Sequence, residues 1–310
     1  MFAAVFPGQG SQKPGMGRDL DDTFPIARAV FDRVSDASGL DARHICFELD
    51  EETLRQTQNA QLALYTCGVA AASVLCEALG QSPSLLAGHS VGEYAALAAG
   101  GVVSIEDGAR LVRRRGELMA AEGGLRPGTM AAVLGLDREV LESVCHRASG
   151  ESSTVVVAND NCPGQLVISG DRDAVERAGA LAAESGAKRV LPLNVSGAFH
   201  SPLMREASVK MRAALDQAAF VPGSTIVANV TAKEERDPQQ WPELLQDQLV
   251  SPVRWTESVG AMVSAGIRTF VECGVGEVLG GLIRRIDREA TTHPVFDSAS
   301  LESTLAALRS

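Results

Sequence analysis

Apolar and polar positions along the 310-residue chain follow two rhythms. Four short apolar runs of β type, AAVF (3–6), LLA (85–87), TIVANV (225–230) and TFVEC (269–273), are separated by long stretches whose apolar positions recur at helical spacing. Residues 105–122 and 202–218 carry the clearest helical patterns. This alternation predicts an α/β fold with a mostly parallel sheet covered by helices. Between about Pro127 and Asn194 the order becomes strand (130–134), helix (137–148), strand (154–158), strand (165–169), helix (171–185), strand (188–193). That βαββαβ order is the ferredoxin-like one. The first rhythm resumes after Asn194, so the small unit reads as an insertion. The expected division is a large subdomain of residues 1–126 and 195–310 and an inserted ferredoxin-like subdomain of residues 127–194. Gly123, Gly124, Pro127 and Gly128 mark one crossing, and Ser196 with Gly197 the other. A cleft between the two units is the expected place for chemistry.

Composition narrows the function classes. With 45% hydrophobic and 22% charged residues the chain is ordinary for a globular protein. Its longest apolar stretch, Leu62 to Cys76, falls short of the roughly 20 residues of a membrane span, and Glu77 closes it. A buried helix and no membrane are expected. The N-terminus MFAAVFPGQG lacks the charged region and cleavage pattern of a secretory signal, so a cytoplasmic location is expected. Six scattered cysteines with no CxxC pair imply reduced, structural thiols and no metal site. A net charge of −11 argues against nucleic acid as a partner, because that affinity comes from basic side chains displacing phosphate counterions.

Candidate chemistry centres on SLLAGHSVGEYAAL (84–97), a G-x-S-x-G between a strand signal and a helix signal. That order is the sequence form of a nucleophile elbow, whose tight turn lifts the Ser90 hydroxyl clear of the backbone. In a chain with 30 glycines the bare pattern arises readily, so the strand and helix around it carry the reading. A serine hydroxyl needs a base. His89 follows the strand on the opposite side from Ser90, and His44, His146 and His293 lie where a solvated histidine is the ordinary explanation. His200 remains: it closes LPLNVSGAFH at the second crossing, on a loop at the cleft edge, with Pro202 opening the next helix. FPGQGSQ (6–12) supports two readings, a plain tight turn or backbone N–H groups facing developing negative charge. It matches neither common phosphate loop. Arg113, Arg114 and Arg115 form either a solvated basic face or, for one of them, a clamp for a substrate carboxylate.

FPGQGSQ, GHSVGEYAAL, LVRRRGELM, NDNCPGQLVISG, GAFHSPLM and QLVSPVRW, in that order, resemble the malonyl-CoA:acyl carrier protein transacylases. The resemblance implies an α/β-hydrolase-like core with a ferredoxin-like insert, Ser90 as the acylated nucleophile and His200 as its base. It further implies that Arg115 grips the malonyl carboxylate, that the N–H groups of Gln9 and Val91 form the oxyanion hole, and that the Gln248 carbonyl orients the histidine. Phe199, directly before the histidine, goes with malonyl rather than methylmalonyl selection in related polyketide acyltransferases. The implied partners are malonyl-CoA or CoA, as substrate and product rather than cofactor, and acyl carrier protein; a monomer is expected. Lys188 with Arg189, and Arg284, Arg285 and Arg288, are the candidate docking patches for an acidic carrier. The transferase subunit of malonate decarboxylase, a trans-acting polyketide acyltransferase, a thioesterase on the same elbow and a carrier-binding subunit without turnover are the alternative readings.

Overall fold

The computed structural model describes residues 1–309 and contains two sheets. Its strands are β1 (Ala3–Phe6), β2 (Leu85–Gly88), β3 (Gly128–Leu134), β4 (Val155–Cys162), β5 (Gln165–Asp171), β6 (Arg189–Pro192), β7 (Ile226–Val227), β8 (Glu234–Glu235), β9 (Thr269–Cys273) and β10 (Thr291–Val295). The large sheet has the order β10-β9-β1-β2-β7-β8, and all its pairs are parallel except β7 with β8. Along β1 the side chains alternate between two apolar cores: Phe2, Ala4 and Phe6 enter one, Ala3 and Val5 the other. A strand buried on both faces reads as an unbroken apolar run, which is how AAVF appears in the sequence.

One core lies under the helices Pro25–Ser38, Thr57–Leu79 and Ile105–Leu125, the other under Trp255–Ser264 and Val278–Ile286. The helix Thr57–Leu79 runs 23 residues, beyond the 62–76 stretch that marks it in the sequence, and it is long and apolar enough to cross a bilayer. Most of it is buried inside the protein, where it makes the central helix of the larger core.

The small sheet has the order β4-β5-β3-β6 with every pair antiparallel, and the helices Arg138–Ala148 and Arg172–Glu184 cover one face. Ala131, Val133 and Ile168 point to those helices, while Met130 and Val167 point the other way and join the larger core. Period-two alternation therefore attaches the small unit as well as filling it. Two backbone hydrogen bonds pin it sideways: Asp160 N–H donates to the Val253 carbonyl and Val253 N–H to the Ala158 carbonyl, both at 2.9 Å. The two chain crossings touch, since a Cβ on Gly123 would lie 2.4 Å from the Ser196 carbonyl oxygen.

Three elements differ from the sequence expectation. The 202–218 helix starts as a 3₁₀ turn at Pro202–Met204, and its α-helical part is Arg205–Leu215. TIVANV pairs only over Ile226–Val227, after which the chain turns, with Ala232 at φ 54°. β10, at the sheet edge, arises from TTHPV, a segment that carries a proline and little apolar character.

Candidate active site

β2 stops at Gly88 and the helix Gly92–Ala99 begins two residues after Ser90, so the chain reverses on the serine itself. Ser90 holds φ 54°, a left-handed conformation costly for any residue with a Cβ. Its flanking glycines are required by contact rather than by dihedral. A Cβ on Gly88 would lie 1.9 Å from the Gly92 carbonyl carbon, and one on Gly92 would lie 2.2 Å from the Phe6 carbonyl oxygen. Gly88→Ala is accordingly expected to cost about 3 kcal/mol of stability, read in urea unfolding; a loss under about 1 kcal/mol would show that the turn relaxes freely.

Ser90 Oγ stands 2.7 Å from His200 Nε2. His200 Nδ1 lies 2.8 Å from the Gln248 main-chain carbonyl, and because a carbonyl can only accept, Nδ1 carries the proton. Nε2 is thereby left as the acceptor facing the hydroxyl. Burial, with the Arg115 charge adding to it, pushes the His200 pKa down to about 3, so the imidazole is neutral across the working pH range.

Arg115 is fully buried, unlike Arg113 and Arg114, whose side chains are about half exposed on the same helix. Its Nη2 donates to Ser90 Oγ at 3.1 Å and to Gln248 Oε1 at 2.9 Å, and its Nη1 donates to Gln61 Oε1 at 2.7 Å. Nε has no hydrogen-bond partner among the described residues. Every acceptor in direct contact with this guanidinium is therefore uncharged. A buried cation held by neutral groups beside a nucleophile is poised for an anionic ligand.

Around this pair lies a cleft of about 290 Å³, lined by Gln9, Val91, Met119, Met130, Val195 and Phe199 among others. The N–H groups of Gly92, Glu93 and Tyr94 donate to the carbonyls of His89, Ser90 and Val91 at 3.0, 3.1 and 3.1 Å. Val91 supplies the amide directly after the nucleophile, at the start of a helix whose dipole favours negative charge there. Gln9 sits in the turn after β1, its side chain donating to Thr57 Oγ1 at 3.4 Å, while the neighbouring Gly10 N–H is taken by Gln12 Oε1 at 2.7 Å.

Three polar residues that local sequence did not single out hold the site from beneath: Gln61, Glu93 and Asn229, each 1% exposed. Asn229 clasps the elbow, accepting from Ser90 N–H at 2.8 Å and donating to the Gly88 carbonyl at 2.6 Å. Its own backbone N–H donates to Glu93 Oε1 at 2.7 Å. Gln248 Nε2 donates to Glu93 Oε2 and, at 3.0 Å, to the Ser90 carbonyl. Glu93 carried one signal, as the only charged side chain in the apolar helix GEYAALAA.

Of the remaining histidines, His89 also lines the cleft and the other three lie outside it. His89 bonds Asn161 Oδ1 at 2.8 Å and tilts against Trp255. His44 and His146 are exposed on helices, and His293 sits in β10. Lys188, Arg189, Arg284, Arg285 and Arg288 are all exposed and do not line the cleft; Arg285 reaches across to Gln165 Oε1 at 2.6 Å. Among the described residues no group of three or more His, Cys, Asp or Glu side chains is arranged to hold a metal.

The family model described as "Acyl transferase domain" matches residues 3–290. The chain belongs to the acyl transferase family. This acyl transferase is 42% identical to the malonyl CoA-acyl carrier protein transacylase of Bacillus subtilis, over 99% of its own length and 97% of the relative's. Against the enzyme of the same name from Escherichia coli it is 39% identical, over 98% of both chains. Its fold superposes on the crystal structure of malonyl-CoA:acyl carrier protein transacylase from Xanthomonas oryzae with a TM-score of 0.95, at 43% identity over 99% and 98% of the two chains. A malonyl-transacylase solved in complex with a type II polyketide acyl carrier protein matches the acyl transferase with a TM-score of 0.94, at 40% identity over 99% of both chains.

Proposed function

We propose that this enzyme moves a malonyl group from malonyl-CoA to the phosphopantetheine thiol of an acyl carrier protein, through an ester on Ser90. The buried Arg115 guanidinium, 3.1 Å from the Ser90 oxygen and bonded, among the described residues, only to uncharged acceptors, carries the reading. A site for neutral acyl groups has no use for a desolvated cation at that spot. The malonyl carboxylate completes its hydrogen bonding and fixes the thioester carbonyl against the hydroxyl.

His200 takes the proton of Ser90 as its oxygen attacks the thioester carbonyl carbon. The oxyanion that forms meets the N–H groups of Val91 and Gln9. Collapse of the intermediate breaks the carbon–sulfur bond, and CoA leaves as its thiol with the proton from His200. In the second half the carrier thiol gives its proton to His200 and attacks the ester, and Ser90 departs as its hydroxyl. The Gln248 carbonyl keeps the ring in the tautomer both halves need. Phe199, 5% exposed at the cleft wall, limits the room beside the acyl α-carbon and favours malonyl over branched acyl groups. The same reading puts the enzyme in the cytoplasm as a monomer that supplies fatty-acid synthesis.

Intact-protein mass spectrometry after mixing with malonyl-CoA tests it. One malonyl group should be gained by the wild type, none by Ser90→Ala, and holo acyl carrier protein should discharge the adduct. An adduct lost as fast without carrier as with it would make the protein a thioesterase; no adduct at all would remove the enzyme reading.

A further inference from the structure

We infer that Glu93 is a positioning residue for donor choice: through the side-chain amide of Gln248 it sets the direction in which Arg115 presents its charge. The inference rests on the carboxylate role proposed for Arg115. Glu93 touches neither the cleft nor the reacting atoms, and it is 1% exposed beneath the elbow. An amide has a donor end and an acceptor end, so its orientation decides what each neighbour meets. Gln248 Nε2 faces two acceptors, the Glu93 carboxylate and the Ser90 carbonyl. Oε1 must then face Arg115 Nη2, at 2.9 Å. The opposite orientation would set an amide N–H₂ against a guanidinium and an oxygen against a carboxylate.

A carboxylate is needed at position 93 because two donors converge on it from opposite sides. Asn229 N–H uses Oε1 and Gln248 Nε2 uses Oε2. A glutamine there has one oxygen and an N–H₂, so it can serve one donor and must oppose the other. The Asn229 backbone is held in the turn that clasps the elbow. The Gln248 side chain is the freer of the two partners and is the one that turns, taking the Arg115 acceptor with it. The Gln248 main-chain carbonyl stays on His200, so the base is unaffected.

The test compares malonyl-CoA with acetyl-CoA as donors to holo acyl carrier protein. In Glu93→Gln the malonyl-over-acetyl ratio of kcat/KM should fall at least tenfold, mostly through the malonyl KM, while acetyl transfer stays within about threefold of wild type. An unchanged ratio, or equal slowing of both donors, overturns the inference, because a merely structural residue would act on both alike. If Glu93→Gln does not fold, Gln248→Met decides: it removes the amide but keeps the backbone carbonyl for His200. The same tenfold fall in ratio is expected of it, and an unchanged ratio overturns the inference. Where both fold, Glu93→Gln added to Gln248→Met should lower the ratio no further; an additional loss would mean that Glu93 acts by another route. The larger reading fails separately, if wild type shows no malonyl preference or if Arg115→Ala keeps it.

Discussion

Arg115→Ala should lose about 10² to 10⁴ in kcat/KM for malonyl-CoA and little for acetyl-CoA. Stripping one partner from a buried charge pair costs about 3–5 kcal/mol, and that pair exists only when the donor carries a carboxylate. Lysine is a poor substitute, because the guanidinium spreads its donors over Gln61, Gln248 and the Ser90 oxygen at once, whereas an ammonium has no such planar fork. Arg115→Lys should therefore fall between alanine and wild type. Steady-state rates with both donors decide: equal losses on malonyl and acetyl would mean that the arginine supports the elbow and does not read the acyl group.

Removal of the base has the other large effect. His200→Ala should slow formation of the acyl-serine by about 10³-fold or more with either donor, since the other group bonded to Ser90 Oγ among the described residues, Arg115, can only donate. The same variant reports the buried state of the ring. Folded His200 titrates near 3 and an unfolded histidine near 6.5. Between those values the unfolded chain binds the extra proton, so stability rises with pH in that window and is lost as pH falls through it. Glu93 and Glu272, both raised to about 7 by burial, contribute slopes of the opposite sign, which a comparison of variant with wild type removes. On going from pH 7.5 to 4.5, wild type should lose on the order of 2 kcal/mol more than His200→Ala, measured by urea unfolding. Equal losses would mean that the imidazole is solvated and readily charged.

Much of the fold was legible because its signals are local. β1, β2 and β9 are buried on both faces and read as apolar runs, and each βαββαβ element of the small unit has its own periodicity. β8 and β10 were not legible: one is two glutamates, the other an edge strand with a proline, and both are strands by virtue of their neighbours. The site divides in the same way. The elbow is written in contiguous residues, and the glycines that Ser90 needs flank it. Choosing Arg115 from three adjacent arginines depends on helix phase: Leu111, Val112, Leu118 and Met119 mark the buried face, and Arg115 lies on it. The undercarriage was invisible for a plainer reason. Gln61, Glu93 and Asn229 meet Arg115, Gln248 or one another across separations of 54 to 155 residues, and of Gln248 only the main-chain role was anticipated; nothing in a single sequence ties such side chains together.

The neutral cradle of Arg115 also restricts how this sequence can drift. Glutamine and glutamate codons differ by one base, so a single-nucleotide change at Gln61 would set a carboxylate against the guanidinium from within. Such a protein would fold with its cation already matched and its pocket blind to dicarboxylic donors. Purifying selection at that codon should weigh against a substitution that conservative scoring schemes treat as mild.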